Sequence, residues 1–370
     1  MNKQKLIGIT LVFAILSIYA FTSNLVSMKS TTDTSTQTSS SRIITDAYNR
    51  QVELPDNIKT IAAIGGSARI LTYGGCANKL IGVTDMDKKN VPAMPYSVVN
   101  AEHFKSLTSV GSGGSNGTYY VEALVALKPD VIFGMIDEDT IKNIAEKTGI
   151  PTIAIYPTDI FDQSFYSALK LIGQVMGTED HCTKVIEYVK SCKKDLDDRT
   201  KDIPDADKPT VYTGAVSFRG AHGFEGTYAG YPPFDVIHAK NVVDETSKSG
   251  AMLIDPEKVM IWNPDIIFLN PTNMNLVNQS YAKNKAFYNG LKAVQNGQIY
   301  TQISYNYNWT NMEIAIADAY YAGKIIYPKQ FEDINPIKKA DEIFNVMLGQ
   351  SFYEKLAADG SKFDKITIGE

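Results

Sequence analysis

The sequence is poor in the residues that hold metals. It has three cysteines (Cys76, Cys182 and Cys192) and four histidines (His103, His181, His222 and His238) in 370 residues. No C-x-x-C or H-E-x-x-H spacing occurs, so no bare-metal centre is expected. Cys182 and Cys192 fall in one helical stretch. Ten residues at the rise of an α-helix put them roughly 15 Å apart, too far for a disulfide. Positive charge is also short: 36 Lys and Arg stand against 41 Asp and Glu, a net charge of −5. Phosphate binding wants a basic face, so this balance argues against nucleic acid as a main partner. The one G-x-S-x-G spacing, Gly113 to Gly117, falls in a Gly/Ser-rich loop, and no evident Ser/His/Asp set accompanies it, so a surface hydrolase lacks its catalytic signature.

Long apolar runs are absent after the first 26 residues. Before that, Lys3 and Lys5 precede the uncharged stretch LIGITLVFAILSIYAFTSNLV, Leu6 to Val26. A basic start followed by an apolar segment reads as an export signal. At 21 residues it is also long enough to span a bilayer, so residues 1–28 are either a cleaved signal peptide or a retained membrane anchor. Residues 29–41, KSTTDTSTQTSSS, form a Ser/Thr-rich linker without packing residues. The folded part is expected from Arg42 onward, on the outer face of the cytoplasmic membrane or in a periplasm.

From there, apolar runs of strand length alternate with helical patterns. RIITDAYNRQVELP reads as a hairpin, and IKTIAAIG, KLIGVTD, LTSVG, DVIFG and IPTIAIYP as buried strands with helices between them. This order predicts an α/β lobe over 42–161 with a parallel sheet. Over 162–203 the apolar residues keep helical spacing, with Gly177 interrupting them. The expectation is one long linking helix, kinked at Gly177 if at all. A second α/β lobe follows over 204–370, with strands TVYTGAV, DIIFLN and QIYTQI, a helix PFDVIHAKN and a closing C-terminal helix IKKADEIFNVMLGQSFYEKL.

One phrase is written twice. VEALVALKPDVIFG at 121–134 and PEKVMIWNPDIIFLN at 256–270 align Glu122 with Glu257, Pro129 with Pro264, Asp130 with Asp265 and Phe133 with Phe268. Each proline stops a helix ahead of a strand. Each glutamate begins a helix, where the dipole favours a carboxylate.

ITDAYNRQVELPDNIKTIAAIGG, the repeated phrase, the helix between its copies and GTYAGYPPFDVIHAKNVVDE together resemble the periplasmic binding proteins of ABC importers for iron chelates and vitamin B12, over residues 42–355. The resemblance implies two Rossmann-like lobes joined by a long backbone helix, with the ligand in the cleft between them. It implies no enzyme activity and no cofactor, and a monomer that delivers its cargo to a permease dimer and its ATPase. It also implies that Glu122 and Glu257, one per lobe, dock on arginines of the permease. The cargo expected is a metal chelate, first a ferric siderophore. Molybdate, tungstate, cobalamin and haem stay open within the class. Outside it stand a surface hydrolase and the extracellular domain of a sensor.

Ligands of open α/β sheets bind beyond the carboxyl ends of the strands. In the first lobe that selects Gly66, Ser67 and Arg69 after the first sheet strand, with Arg69, a turn into its helix, placed either to face the cleft or to brace the loop. It also selects the Gly/Ser loop with Ser112, Gly113, Gly114, Ser115 and Asn116, whose amides could cradle an anion. In the second lobe it selects the aromatic loop with Phe218, Arg219, His222, Phe224, Tyr228 and Tyr231, suited to a large, partly apolar, anionic chelate. SYNYNWTN adds Tyr305, Tyr307 and Trp309, alternating with Asn306 and Asn308 so that one set faces the cleft, and Asn270 at the end of its strand is a lesser candidate.

Overall fold

The computed structural model describes residues 42–370 except Ser115 and Asp159. The expected export segment and its linker lie outside the described residues. Among the described residues no helix is long and apolar enough to cross a membrane.

The chain opens with an antiparallel hairpin, β1 (Arg42–Thr45) and β2 (Gln51–Leu54). Five parallel strands follow: β3 (Ile61–Gly65), β4 (Leu80–Val83), β5 (Thr108–Ser109), β6 (Val131–Met135) and β7 (Thr152–Ala154). Their order in the sheet is β5-β4-β3-β6-β7. The second half contains β8 (Thr210–Gly214), β9 (Gly226–Ala229), β10 (Lys240–Asn241), β11 (Gly250–Leu253), β12 (Ile266–Leu269) and β13 (Ile299–Thr301). Here the parallel sheet runs β10-β8-β12-β13, and β9 pairs with β11 in a separate antiparallel ribbon that the sequence reading did not anticipate. The two sheets have one plan, with β3, β4, β6 and β7 answering to β8, β10, β12 and β13.

Strand periodicity builds the layers. In β3, Ile61 and Ala63 join the large core that runs through both halves, while Ala62 and Ile64 face the helices Val121–Leu127 and Glu138–Thr148. In β12, Ile266 and Phe268 join the same large core, and Ile267 and Leu269 pack on the opposite side. Two-residue alternation therefore commits each central strand to two apolar layers at once.

The repeated Pro-Asp does specific work at the head of each sheet. The Asp130 carboxylate accepts from the amides of Lys59 and Thr60 at 2.8 Å each, and Asp265 accepts from the amide and hydroxyl of Thr210 at 2.8 Å each. Each aspartate thus pins the central strand to its neighbour. The helix before each aspartate ends in a left-handed residue, Lys128 or Asn263.

The linking segment corrects the expectation of one helix. Gln163–Met176 and Glu179–Thr200 are separate helices packed on each other, because Gly177 adopts φ +68° and terminates the first. Gly173 admits the second helix closely: a Cβ there would lie 3.0 Å from Glu179 Cα. The first helix packs on Ser67–Tyr73 in the first half, so Glu179–Thr200 alone makes the crossing, about 33 Å at helical rise. Its stripe Cys182, Val185, Ile186, Val189, Cys192 and Leu196 is buried in the shared core. Arg199 fastens its end, reaching both Asp333 carboxylate oxygens at 2.6 and 2.9 Å.

Two further expectations change. The closing helix is two, Pro336–Leu348 and Tyr353–Ala358, parted by left-handed Gly349. PFDVIHAKN supplies only the short helix Pro232–Asp235; His238 turns left-handed and the chain enters β10.

Candidate ligand cleft

The carboxyl ends of the two sheets face a common junction. On the second-half side lies a cleft of about 500 Å³. Three loops line it: Ser217, Phe218 and Arg219 after β8, Thr272 and Asn273 after β12, and Ser304, Asn306 and Tyr307 after β13. Val91 and Ala93 of the first half close one wall, and Asp359 and Ser361 another.

The loop after β8 is shaped by backbone sign and by amides. Ala215 and Arg219 have positive φ, +58° and +50°, a region that non-glycine residues occupy only when the surroundings hold them there. Here Asn273 donates to the Ala215 carbonyl at 2.8 Å, and Asn306 donates to the Ser217 carbonyl at 2.7 Å. Turned out in this way, Arg219 is exposed at the cleft, and its guanidinium has no hydrogen-bond or ion-pair partner among the described residues. His222 does not line the cleft. Its ring stacks 4.2 Å from that of Phe218, and its Nε2 lies 2.8 Å from the Phe218 carbonyl, so it braces its own loop.

The segment 304–311 departs from the expected alternation. Asn308 and Trp309 are both left-handed, at φ +49° and +73°, and the reversal sends three aromatic rings three ways. Tyr307 lines the cleft and is exposed. Tyr305 is buried beside Tyr231, with ring centroids 5.7 Å apart. Trp309 crosses to the first half, where a Cβ on Gly66 would lie 3.0 Å from its ring.

The first-half candidates are largely spent on structure. Arg69 is fully buried. Its Nε donates to Asn311 Oδ1 at 2.9 Å, its guanidinium donates to the Asn308 carbonyl, and it lies 4.5 Å over the Tyr96 ring. Asn311 in turn donates to the Ala93 and Tyr305 carbonyls at 3.1 Å each. Arg69 is therefore the clasp between halves, not a cleft residue. Around it sit two buried carboxyls, Asp87 and Glu313, both pushed upward by burial, though hydrogen bonds and the Arg69 charge oppose the shift. Gly66 lies under Trp309. The Ser67 hydroxyl sits 2.9 and 2.8 Å from the carbonyls of Ile64 and Phe133.

The Gly/Ser loop is likewise knitted to itself. The Ser112 amide donates to the Thr118 carbonyl, and the Thr118 amide to Ser112 Oγ, both at 2.9 Å. Ser112, Gly113, Gly114 and Asn116 do not line the cleft, and Ser115 lies outside the described residues. Phe224 is core, ringed by Tyr212, Phe287 and Tyr288 at 5.2 to 5.7 Å. Tyr228 and Tyr231 line a small recess behind the cleft. Asn306, from the set that alternates with the tyrosines, lines the cleft together with Tyr307, and sequence reasoning missed the amides Asn273 and Gln302. Their only signal was a position just past a strand end, which Asn270 shares.

Glu122 and Glu257 occupy the first turns of Val121–Leu127 and Pro256–Trp262. Both are exposed, and neither carboxylate has a hydrogen-bond or ion-pair partner among the described residues. Large apolar side chains lie bare around them: Tyr120 and Val125 at the first, Leu253, Met260 and Ile261 at the second, with Ile261 82% exposed. Val125 and Met260 stand three residues after their glutamates, so each helix shows an acid and an apolar side chain on one face.

The family described as periplasmic binding protein matches residues 31–304. The chain belongs to that family. This periplasmic binding protein is an exported solute-binding protein and not an enzyme. It is 25% identical over 336 residues to the molybdate-binding protein MolA of Haemophilus influenzae, covering 84% of this chain and 91% of that one. It is 26% identical over 235 residues to the uncharacterized ABC transporter substrate-binding lipoprotein YvrC of Bacillus subtilis, covering 60% and 67%. A solved periplasmic solute binding protein from Veillonella parvula shares its fold with a TM-score of 0.71 at 18% identity, covering 87% of this chain and 97% of that one.

Proposed function

We propose that this binding protein is the extracytoplasmic component of an ABC importer, and that its cargo is an anionic metal chelate of the ferric siderophore class. The cleft carries this reading. A space of about 500 Å³ suits a preformed complex. Its lining of amides, hydroxyls, two accessible aromatic rings and one unpaired arginine would grip an anionic chelate by its periphery. The binding protein would contribute no metal ligand and need no cofactor of its own. Among the described residues there is no group of three or more His, Cys, Asp and Glu placed to hold an ion.

A second reading, a molybdate- or tungstate-type oxyanion, is favoured by the likeness to MolA and by the uncharged donors behind the cleft. Delivery would run through Glu122 and Glu257, each framed by bare apolar side chains, onto a two-fold permease dimer that presents the same patch twice. The protein would act as a monomer, held outside the membrane by its N-terminal segment or by the permease.

The test is calorimetric titration of the purified protein with ferric siderophores, ferric citrate, molybdate, tungstate, cobalamin and haem. Binding without turnover of one anionic metal species is expected. Arg219→Ala should weaken it about tenfold or more, since a charge-assisted contact is lost. Arg69→Ala should lower the melting temperature instead. Binding of cobalamin alone, or steady turnover of any compound, would sink the reading.

A further inference from the structure

Behind the cleft, at the carboxyl ends of β8, β12 and β13, lies a recess of about 20 Å³. That is room for one water-sized atom. The recess and the cleft share Ser217, Ile303, Ser304 and Asn306 in their walls, so one continues into the other. Among the described residues no charged side chain lines the recess.

The polar groups around it are mostly committed to one another. Asn270 Oδ1 accepts from the amide and hydroxyl of Thr272 at 3.1 and 2.9 Å. The Ser304 hydroxyl donates to Asn306 Oδ1 at 2.8 Å, and Asn306 Nδ2 donates to the Ser217 carbonyl. Gln302 is different. It follows β13 directly and its backbone amide holds the Leu269 carbonyl at 2.9 Å. Gln302 is 3% exposed and lines the recess, and neither its Oε1 nor its Nε2 has a hydrogen-bond partner among the described residues. A buried amide left unpaired is costly, and native interiors keep few of them.

We infer that this recess is a subsite for a single terminal oxygen of the cargo, held by the Gln302 amide. The inference rests on the anionic-cargo reading above and adds a size rule to it. An oxo group of a tetrahedral oxyanion or one free carboxylate oxygen of a chelate enters. An aromatic ring or a methyl-bearing group does not. Neutral donors suit such an oxygen, since a buried amide N–H stabilises it without bringing a second ion into the interior. The charge itself is met at the cleft by Arg219.

The experiment is calorimetric titration of the full-length chain and its variants with molybdate, with ferric citrate and with iron(III) tris(catecholate). The last has no free terminal oxygen. Wild type should bind molybdate or ferric citrate, and which of the two identifies the source of the oxygen. Gln302→Leu should lose at least tenfold in affinity for that probe and keep the unliganded melting temperature. Gln302→Glu, which sets a carboxylate against the oxygen, should lose more. Should Gln302→Leu melt early, Gln302→Asn decides, since it keeps the amide but withdraws it by one methylene; the same loss is expected. Unchanged affinity in these variants overturns the subsite and leaves the cargo reading standing. Binding confined to the tris(catecholate) does the same. A wild-type chain that binds none of the three probes removes both.

Discussion

Arg69 and Arg219 show how one residue type takes opposite parts. Both follow a strand of a parallel sheet, where Arg69 could brace its loop or face the cleft and Arg219 could meet an anion. Arg69 lies a turn inside a buried helix and is met by Asn311 and the Asn308 carbonyl from the other half of the chain. Arg219 sits on a left-handed turn that throws it outward. Asp318 is a third case. It is fully buried, accepts from the Ile303 amide at 3.2 Å, and burial drives its carboxyl far above the ordinary range. A carboxyl raised in this way folds protonated. Its stability contribution is complete below the unfolded pKa and is lost as pH rises toward the folded one. Asp318→Asn, neutral at every pH and able to keep the Ile303 contact, should therefore melt a few degrees above wild type at pH 8. The gain should vanish near pH 4. Melting curves over that range decide it, and a gain that grows toward acid would refute the assignment.

Among the elements, the paired helices around Gly177 carry the clearest lesson. The apolar spacing of Phe165, Leu169, Ile172 and Val175, then Val185, Ile186 and Val189, is legible in the sequence as helix. What it conceals is a reversal. A glycine at φ +68° with nothing within 4 Å of a would-be Cβ has only a backbone reason to be there. Gly177→Ala should cost about 1 kcal/mol in urea denaturation, and Gly177→Asn less, because asparagine tolerates the left-handed region. Equal stability of all three chains would show the turn to be unstrained. The repeated helix–strand unit was legible in full, including its proline stop. The partner of its aspartate was not, because the pinned amides lie 70 residues away at Asp130 and 55 at Asp265.

At the scale of the molecule, two equivalent units put two equivalent patches on the surface, each a glutamate without a partner among the described residues, beside bare apolar side chains. Water-facing apolar residues gathered in this way mark an interaction surface more often than a scatter does. Glu122→Ala combined with Glu257→Ala should leave cargo affinity within twofold of wild type and abolish uptake in cells or vesicles carrying the cognate importer. Ile261→Asp should reduce uptake alone. A loss of cargo affinity in the double variant would place the glutamates in ligand binding instead.

The sequence by itself determined the two α/β halves, the strand alternation that fills two apolar layers, and the repeated unit. Those follow from short-range periodicity, which folding reads locally. It also determined which loops could face a ligand, since strand ends are legible. Only the tertiary structure decided which side chains in those loops line the cleft. Their directions hang on backbone signs at Ala215, Arg219, Asn308 and Trp309 and on contacts such as Arg69 with Asn311, 242 residues apart. No local pattern encodes a contact of that reach. For that reason Arg69, Ser67 and Phe224, candidates by their place past a strand end, are held by contacts away from the cleft. For the same reason Gln302, unremarked in the sequence, emerged as the buried amide facing the recess.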